Sequence, residues 1–345
     1  MKFHAELLRE RAAAIFRAAG CQSPEADRVA MRLVDANLVG HDSHGIIRIA
    51  SYVQWLLAGK VLAGRTIDVT FENDAIAVVD GQFGFGQTVA EQAIQLGIEK
   101  SAKHGVAVIA LRNSGHLGRI GDWPLLAAQA GKLSVHFVNT TGGGILVAPF
   151  GGINRRLSAN PIAAGIPVEG GPPIILDMST CTIAEGKIRV ALNKGVAAPE
   201  NCIIDSQGRP TTEPRDFYAN PPGAILPIAG HKGYGLAVLC EIMAGALTGG
   251  GCSNPANAGR LLNGMLSIIL DPSFFQTDAA FAAEVQRFIA WVKSSEKVVQ
   301  DGDILMPGEI EERTKQQRLR DGIDIDDVTW RQIVETAKNV GVDLQ

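Results

Sequence analysis

From about residue 71, short apolar runs alternate with segments of helical periodicity, and this alternation limits the possible folds more than any other feature. Short apolar runs bounded by turn residues are typical of buried strands. The predicted strands cover residues 75–80, 106–111, 133–138, 174–177, 202–205 and 267–270, and the predicted helices cover 87–103, 122–130 and 234–246. The alternation predicts an α/β core.

Helical patterns occupy both ends of the chain. The first sixty residues predict three helices, the second of which begins at Ser23 and Pro24 and ends at Gly40. A charged helical segment begins near Glu309, and we expect it to return to the N-terminal helices. We therefore predict a helical subdomain, residues 1–70 plus 309–345, and an α/β core over residues 71–308.

Composition and charge exclude several classes of protein. Hydrophobic residues make up 46% of the 345 residues and charged residues 20%, so we expect a second copy of the chain to cover some apolar surface, most simply in a homodimer. A net charge of -4 leaves no basic stripe for nucleic acid. No apolar run approaches the ~20 residues of a membrane span. The amphipathic start of the chain does not resemble a signal peptide.

The five cysteines are scattered and never form a C-x-x-C pair, which argues against a disulfide framework and a structural zinc site. They indicate a reducing compartment, so we expect a soluble cytoplasmic protein. His41, Asp42, His44 and His116 have no spacing typical of metal ligands, and we predict no metal.

The segment 41–48, His-Asp-Ser-His-Gly-Ile-Ile-Arg, places an imidazole and a guanidinium four residues apart. Asp42 and Ser43 can cap a helix, and the apolar residues that follow recur at helical spacing. One helix would bring His44 and Arg48 onto the same face. A guanidinium grips a carboxylate and an imidazole moves a proton, so the pair suits a small acid. A solvated arginine beside a packed core histidine is the alternative.

Polar loops at predicted strand ends supply further candidates. The segment 113–123, which contains His116 between two glycines, follows a strand and runs into a helix. Its alternative is a loop histidine bonded to a backbone carbonyl. Asp177, after another strand, can orient a basic group, or it can simply cap a helix. Lys232 precedes an apolar helix, where a cation is favourable only with a shared anion such as phosphate.

Several common catalytic and nucleotide motifs are absent from the sequence. Neither G-x-G-x-x-G nor G-x-x-x-x-G-K-[ST] occurs, so a bound dinucleotide would require an architecture other than a Rossmann or P-loop domain. A serine hydrolase would need G-x-S-x-G and a zincin H-E-x-x-H, and the sequence has neither.

Taken together, the motifs resemble the type-2 malate/L-lactate dehydrogenases, a family that includes ureidoglycolate, sulfolactate and hydroxycarboxylate dehydrogenases and piperideine-2-carboxylate reductases. The resemblance spans nearly the whole chain, is closest to the hydroxycarboxylate branch, and rests on segments 40–45, 113–121, 147–151, 159–161, 176–179, 230–235 and 305–309. It implies a non-Rossmann α/β fold with a mixed-sheet core, bound NAD or NADP, and a homodimer whose active site lies near the subunit interface.

The resemblance also implies roles for individual residues. His44 or His116 would donate and accept the proton, Arg48 would hold the substrate carboxylate, and Ser43 would support His44. The residues expected to line the cofactor are Gly118, Arg119, Ile120, Ile175, Leu176, Asp177, Met178, Ser179, His231, Lys232, Asn263, Pro307, Gly308 and Glu309.

The implied reaction is hydride transfer between NAD(P) and C2 of a small 2-hydroxy or 2-oxo acid, such as malate, lactate or a related hydroxycarboxylate. A cyclic imino-acid reductase is the enzymatic alternative, weakened because piperideine-2-carboxylate reductases have an aspartate where this chain has Lys187. A catalytically silent binding or assembly protein that kept the fold is the third possibility. The sequence leaves open which acid is used and whether the cofactor is NAD or NADP.

Overall fold

A computed structural model describes residues 1–257, 259 and 261–344. The helices are α1 Ala5–Ala18, α2 Ser23–Leu38, α3 Ile49–Leu57, α4 Gly86–His104, α5 Asp122–Gln129, α6 Glu185–Lys194, α7 Pro214–Tyr218, α8 His231–Cys240, α9 Asp278–Lys293, α10 Glu309–Asp321 and α11 Asp327–Asn339. The strands are β1 Lys2–Phe3, β2 Asp68–Glu72, β3 Ile76–Asp80, β4 Val106–Ser114, β5 Leu133–Thr141, β6 Ile145–Val147, β7 Leu157–Ser158, β8 Pro161–Ile166, β9 Ile174–Ser179, β10 Ile203–Ile204, β11 Pro210–Thr211, β12 Ala224–Ile225, β13 Leu262–Leu270 and β14 Ile323–Asp324.

A mixed sheet forms the centre of the molecule. In the described residues its strand order is β2-β3-β4-β13-β5-β8-β9, with β3 and β4 parallel and the other neighbours antiparallel. A doubly wound dinucleotide-binding sheet is mostly parallel, so this pairing confirms the predicted non-Rossmann α/β fold. Helices α4 and α5 pack on the sheet, and their apolar faces share its core around the fully buried Trp123.

A second, smaller sheet lies beside the first. Its strand order over the described residues is β11-β10-β12-β6-β7, and only β12 and β6 run parallel. A separate apolar cluster that includes Ile203, Phe217 and Ile225 packs against this sheet. The bridge between Cys181 and Pro227 connects the segment after β9 to the segment before α8.

The two ends of the chain meet in a helical layer. Strand β1 pairs with β14, α10 packs on α2, and α11 packs on α3. One apolar cluster joins these helices, from Leu8 and Phe16 near the start to Ile333 and Ala337 near the end. The division of the chain at residues 70 and 309 stays a prediction, because the apolar cluster also includes Phe85.

The predicted elements lie where the sequence places them, with different ends. Strand β13 begins at Leu262 rather than 267, and the helix predicted from residue 234 begins at His231 and continues as a π-helix over Glu241–Ala246. In the described ranges, no helix is both long enough and apolar enough to cross a membrane.

Candidate active site

The turn between α2 and α3 holds three of the predicted catalytic residues. The prediction of one continuous helix from Asp42 is wrong, because two short 3-10 turns, Asp42–His44 and Ile46–Arg48, precede α3. Gly45 separates them with an extended backbone, at φ -86° and ψ -154°. His44 and Arg48 therefore do not occupy successive turns of an α-helix, and another contact must bring them together.

Hydrogen bonds fix this turn. The Nε of Arg48 donates to the main-chain oxygen of Ser43 at 2.7 Å, and the Ser43 hydroxyl lies 3.1 Å from Nδ1 of His44. The main-chain bond folds the guanidinium back toward the imidazole. Ser43, His44 and Arg48 consequently form one cluster, as the sequence predicts, although a different backbone produces it.

Asn37 at the end of α2 is a positioning residue that the sequence analysis missed. Its Oδ1 accepts from the main-chain N–H of Ile46 at 2.8 Å, and its Nδ2 donates to Asp42 at 2.6 Å. A Cβ on Gly45 would lie 2.2 Å from Oδ1 of Asn37, which explains the glycine. The buried amide thus bonds one residue in each of the two 3-10 turns and fixes both.

His116 lies in the loop that follows β4, at the end of the central sheet. The glycine-rich turn before α4 packs directly on this loop, since a Cβ on Gly86 would lie 2.3 Å from the main-chain oxygen of His116. Asn263 supports the loop from the neighbouring strand, because its Oδ1 accepts from Leu117 N–H at 2.9 Å. Its Nδ2 donates to Asn139 and to Thr140.

The two candidate histidines face each other. The rings of His44 and His116 stack with centroids 5.6 Å apart and an interplanar angle of 9°. Both side chains are half-buried, so each keeps part of its surface open to solvent. The structure therefore brings together residues that are separated by more than seventy positions in the chain.

A second polar contact behind His116 was not predicted. The Tyr52 hydroxyl lies 2.7 Å from Nδ1 of His116, and Gln87 Nε2 donates to the Tyr52 oxygen at 3.0 Å. The N–H of Gly118 also donates to Nδ1 of His116, at 3.3 Å. One feature of the sequence could have indicated Tyr52: its hydroxyl lies four residues after Arg48 in an otherwise apolar stripe.

The surroundings of both imidazoles favour the neutral form. Burial is the main cause that lowers the pKa of His44 to about 3, and the charge of Arg48 adds to it. Burial, followed by the charges of Arg48 and His44, also holds the pKa of His116 well below its ordinary 6.5. Both rings are therefore uncharged at neutral pH.

The segment after His116 is fixed by a buried ion-pair network. Arg119 is almost fully buried and donates to Asp122 at 2.9 Å, while its Nε lies 3.7 Å from the Asp177 carboxylate. Asp177 accepts from Gly121 N–H at 2.8 Å. Arg119 and Asp177 are expected to line a cofactor, but in this structure their side chains hold the loop. Ile120, the residue after Arg119, is buried.

Residues on β9 and before α10 lie side by side. The Ile175 N–H donates to the Pro307 oxygen at 3.0 Å. Gly308 has a φ of +96°, and a Cβ at this position would lie 3.2 Å from the nitrogen of Ile175. Glu309 accepts from Met306 N–H and pairs with Lys293. On the same strand Leu176 is exposed, Met178 is half-buried, and the hydroxyl of Ser179 lies 2.9 Å from the sulfur of Cys181.

His231 and Lys232 are exposed at the amino end of α8, as predicted. The ring of His231 packs edge-on against Phe150, with centroids 5.8 Å apart. Because Ile228 N–H donates to the Thr180 oxygen, the segment before α8 lies beside the loop that follows Ser179. Asn263 is buried, and both polar atoms of its side chain are hydrogen-bonded.

Groups of three or more histidine, cysteine, aspartate or glutamate side chains suited to a metal ion are absent from the described residues. All five cysteines lie in those residues and are free.

Comparison with known proteins agrees with this geometry. The family model of malate/L-lactate dehydrogenase matches residues 3–334. Hydroxycarboxylate dehydrogenase B of Escherichia coli (strain K12) is 41% identical over 345 residues, which cover 99% of this chain and 95% of the relative.

Solved structures show the same similarity. A structure of an E. coli protein assigned as a malate/lactate dehydrogenase has a TM-score of 0.95 at 40% identity and covers 100% of this chain and 96% of that one. Sulfolactate dehydrogenase from Methanocaldococcus jannaschii has a TM-score of 0.88 at 35% identity, covering 99% and 98%. The resemblance inferred from the motifs is confirmed, and the chain belongs to the malate/L-lactate dehydrogenase family.

Proposed function

We propose that this chain is an NAD(P)-dependent 2-hydroxycarboxylate dehydrogenase that oxidises a small 2-hydroxy acid, such as malate or lactate, to the 2-oxo acid and catalyses the reverse reduction. One observation supports this most strongly. A guanidinium and two uncharged imidazoles, from Arg48, His44 and His116, converge in one partly open cluster. The names of the relatives, which include hydroxycarboxylate and L-sulfolactate dehydrogenases, point to the same substrate class.

Arg48 is the residue proposed to bind the substrate carboxylate. Its Nε is occupied by the Ser43 oxygen, whereas both Nη groups lack a partner among the described residues. Two parallel N–H groups of a guanidinium match the two oxygens of a carboxylate. The bond to Ser43 fixes the direction of the fork, so the acid would bind in one orientation relative to the imidazoles.

His116 is the residue proposed to transfer the proton. His44 and Ser43 are proposed to line the substrate site beside it. During oxidation the hydroxyl proton of the acid moves to the imidazole while C2 loses a hydride, so the alcohol becomes a carbonyl. A bound nicotinamide supplies or accepts that hydride. During reduction the imidazolium returns its proton to the oxygen. The depressed pKa of His116 suits the accepting role, because the ring is uncharged before the acid binds.

Two features of the described residues fit a dinucleotide. Lys232 and the N–H groups at the start of α8 offer positive charge for phosphate oxygens. A cavity of about 280 Å³, lined mainly by apolar residues such as Ile174, Ile289 and Met306, adjoins Pro307 and has room for a flat ring. Pro307, Gly308 and Glu309 would border the cofactor there, and Leu176 would contribute an exposed apolar side chain.

A substrate panel tests this proposal. The purified protein would be mixed with NAD⁺ or NADP⁺ and with (S)-malate, (S)-lactate or (S)-sulfolactate, and formation of reduced cofactor would be followed by absorbance. We expect turnover of at least one acid. Arg48→Ala should raise the KM for the acid by roughly 100-fold with little change in cofactor affinity, since one charge-assisted contact is worth about 3 kcal/mol.

Histidine variants separate chemistry from binding in the same assay. His116→Gln should lower kcat by about 100-fold or more with a smaller change in cofactor affinity, because general acid–base catalysis contributes 10²–10⁴-fold. The exposed His104→Gln, at the end of α4, serves as the matched control. Turnover of the acids by Arg48→Ala and His116→Gln at the rate of the control would contradict the assigned roles.

The panel also decides between the alternatives. The corresponding 2-oxo acids and a cyclic imino acid, such as piperideine-2-carboxylate, would be tested with NADPH, and a rate on the imino acid above that on every oxo acid would replace the proposed function. Lys187 is exposed on α6, whose Gly186 approaches Ser43, so the position that departs from the imine reductases lies near the proposed substrate site. A binding protein without activity would show neither turnover nor thermal stabilisation by either cofactor.

We further propose a cytoplasmic homodimer. No residue of α9 is buried in the single chain, and Phe288 and Trp291 are 51% and 71% exposed. An apolar helical face of this kind favours cover by a second copy. The free cysteines favour a reducing compartment. Light scattering coupled to size exclusion would report the mass, and a monomer at micromolar concentration would contradict the dimer.

A further inference from the structure

We infer that Tyr52 and Gln87 are positioning residues that set which nitrogen of His116 carries the proton, through a hydrogen-bond chain whose direction can reverse. This inference rests on the proposed function, because it assigns the chain to the proton transfer at His116. Neither residue is required to touch the substrate. Both lie behind the imidazole, on α3 and at the start of α4.

The chain has one direction in the structure. Gln87 Nε2 donates to the Tyr52 oxygen at 3.0 Å, so the Tyr52 hydroxyl is free to donate to Nδ1 of His116 at 2.7 Å. The Gly118 N–H donates to the same nitrogen. Because Nδ1 accepts from two donors, the neutral ring holds its proton on Nε2. In this form Nε2 can donate a proton but cannot accept one.

Proton transfer with the acid requires the opposite direction. To accept the hydroxyl proton, Nε2 must be bare, and the ring proton must then lie on Nδ1. The Nδ1–H needs an acceptor, which is the Tyr52 oxygen, and the Tyr52 hydroxyl must in turn donate elsewhere. The imidazolium formed by oxidation has the same requirement, because both of its nitrogens are donors.

An unpaired buried atom supplies that second acceptor. Gln87 is only 1% exposed, and its buried Oε1 has no hydrogen-bond partner among the described residues. Rotation of the amide by half a turn would present Oε1 to the Tyr52 hydroxyl. The chain would then run from Nδ1–H to Tyr52 and on to Gln87 Oε1, while Gly118 N–H loses Nδ1 as its acceptor and Gln87 Nε2 gives up its bond to Tyr52.

The backbone of Gly118 packs closely on the amide. A Cβ on Gly118 would lie 2.9 Å from Gln87 Nε2, and Gly118 has a φ of +72°, so only glycine fits over the amide. Burial raises the pKa of Tyr52 to about 12, and the hydroxyl therefore stays protonated in either direction of the chain. Arg48 and His44 are the charged and titratable groups that act on His116 from its open side.

Substitutions at Gln87 distinguish this role from a structural one. Gln87→Leu removes the acceptor and should hold the proton on Nε2, so kcat should fall by about tenfold or more in both directions with little change in KM. Gln87→Glu offers only acceptors and should favour Nδ1–H, so it should keep most of the activity. Tyr52→Phe should resemble Gln87→Leu. Gln95→Leu on the same helix and Tyr218→Phe at the end of α7 are matched controls.

Nitrogen NMR gives a readout that does not depend on activity. Protein labelled with ¹⁵N in its histidine rings would be compared with His116→Gln to assign the His116 signals. We expect Nε2–H in the unliganded protein, the same form in Gln87→Leu and Tyr52→Phe because neither offers the chain that accepts from Nδ1–H, and a shift toward Nδ1–H in Gln87→Glu.

The outcomes separate the inference from the proposed function. An unchanged His116 tautomer in Gln87→Glu, or equal loss of kcat in Gln87→Leu and Gln87→Glu, would overturn the hydrogen-bond chain. A tautomer that follows the substitutions in a protein that turns over no hydroxy acid would support the chain and refute the proposed dehydrogenase. Melting temperatures of all variants would be measured, because equal melting rules out a folding defect as the cause.

Discussion

Substitution of Gly45 by alanine tests how the α2–α3 turn positions the site. The new Cβ would lie 2.2 Å from Oδ1 of Asn37, far inside contact distance, and this amide is 2% exposed. Asn37 must move, and Ile46 N–H then loses its acceptor in a buried position. An unsatisfied buried donor costs about 1–3 kcal/mol, and loss of the bond to Asp42 adds to it, so we expect a decrease of about 2–4 kcal/mol in the free energy of unfolding.

The same shift should reduce activity, because His44 and Arg48 lie on the displaced turn. A misplacement of about 1 Å can cost up to roughly 100-fold in rate, so we expect kcat/KM to fall by at least tenfold. Urea unfolding and steady-state kinetics measure the two effects. The control is Gly143→Ala, whose Cβ would meet Leu261 at an ordinary 3.8 Å.

A double-mutant cycle sharpens the test. In Asn37→Ala the clashing amide is already gone, so adding Gly45→Ala should cost much less than it costs alone. Strictly additive losses, or a Gly45→Ala protein that is as stable and active as Gly143→Ala, would refute the reasoning.

Three further predictions follow from the same structure. Four donors converge on the buried Glu241 carboxylate, so Glu241→Gln should lower the free energy of unfolding by about 2–3 kcal/mol in urea titrations, and exposed Glu200→Gln should not. Burial lowers the pKa of His136 to about 3 in the folded protein, so this side chain gains a proton near pH 6.5 only when the protein unfolds. Stability should therefore fall as pH falls below 6.5, by up to about 1.4 kcal/mol per pH unit, and His136→Gln should flatten this dependence. Burial and then the Arg48 charge lower the pKa of His116, and the carboxylate of bound oxamate offsets the second cause, so binding of oxamate with reduced cofactor should raise this pKa and take up protons as the pH is lowered; calorimetry in buffers of different ionisation enthalpy would show no uptake if this is wrong.

Much of the fold could be predicted because its signals are local. Apolar runs and helical periodicity place α4 and β4 correctly, since each element buries a face that its own residues create. Strand ends were less accurate. Strand β13 begins five residues early, at Leu262, because Asn263 and Gly264 interrupt the apolar run there while the backbone continues to pair with β5.

The site was predicted in part for a different reason. The spacing of His44 and Arg48 indicated proximity, but the assumed α-helix was wrong, and the Ser43 oxygen supplies the contact instead. Tyr52 and Gln87 were missed because their meeting depends on the packing of α3 against the start of α4. A polar residue in an apolar stripe marks a candidate, but its partner is set by tertiary structure.

Two missed residues, Asn37 and Gln87, share with the predicted Asn263 a physical role that explains why they are polar and buried. Asn37, Gln87 and Asn263 each place an amide under a backbone turn that holds a reactive group, and each amide bonds either that turn or the group itself. Burial of an amide is unfavourable unless its donors and acceptors are paired. Asn263 is completely paired, which fixes the loop of His116 in one position. Gln87 keeps one unpaired oxygen, which gains a partner only when the amide rotates and the Tyr52 hydroxyl donates to it. The packing therefore fixes the position of the His116 loop, and it leaves the hydrogen bonds behind the imidazole able to change direction.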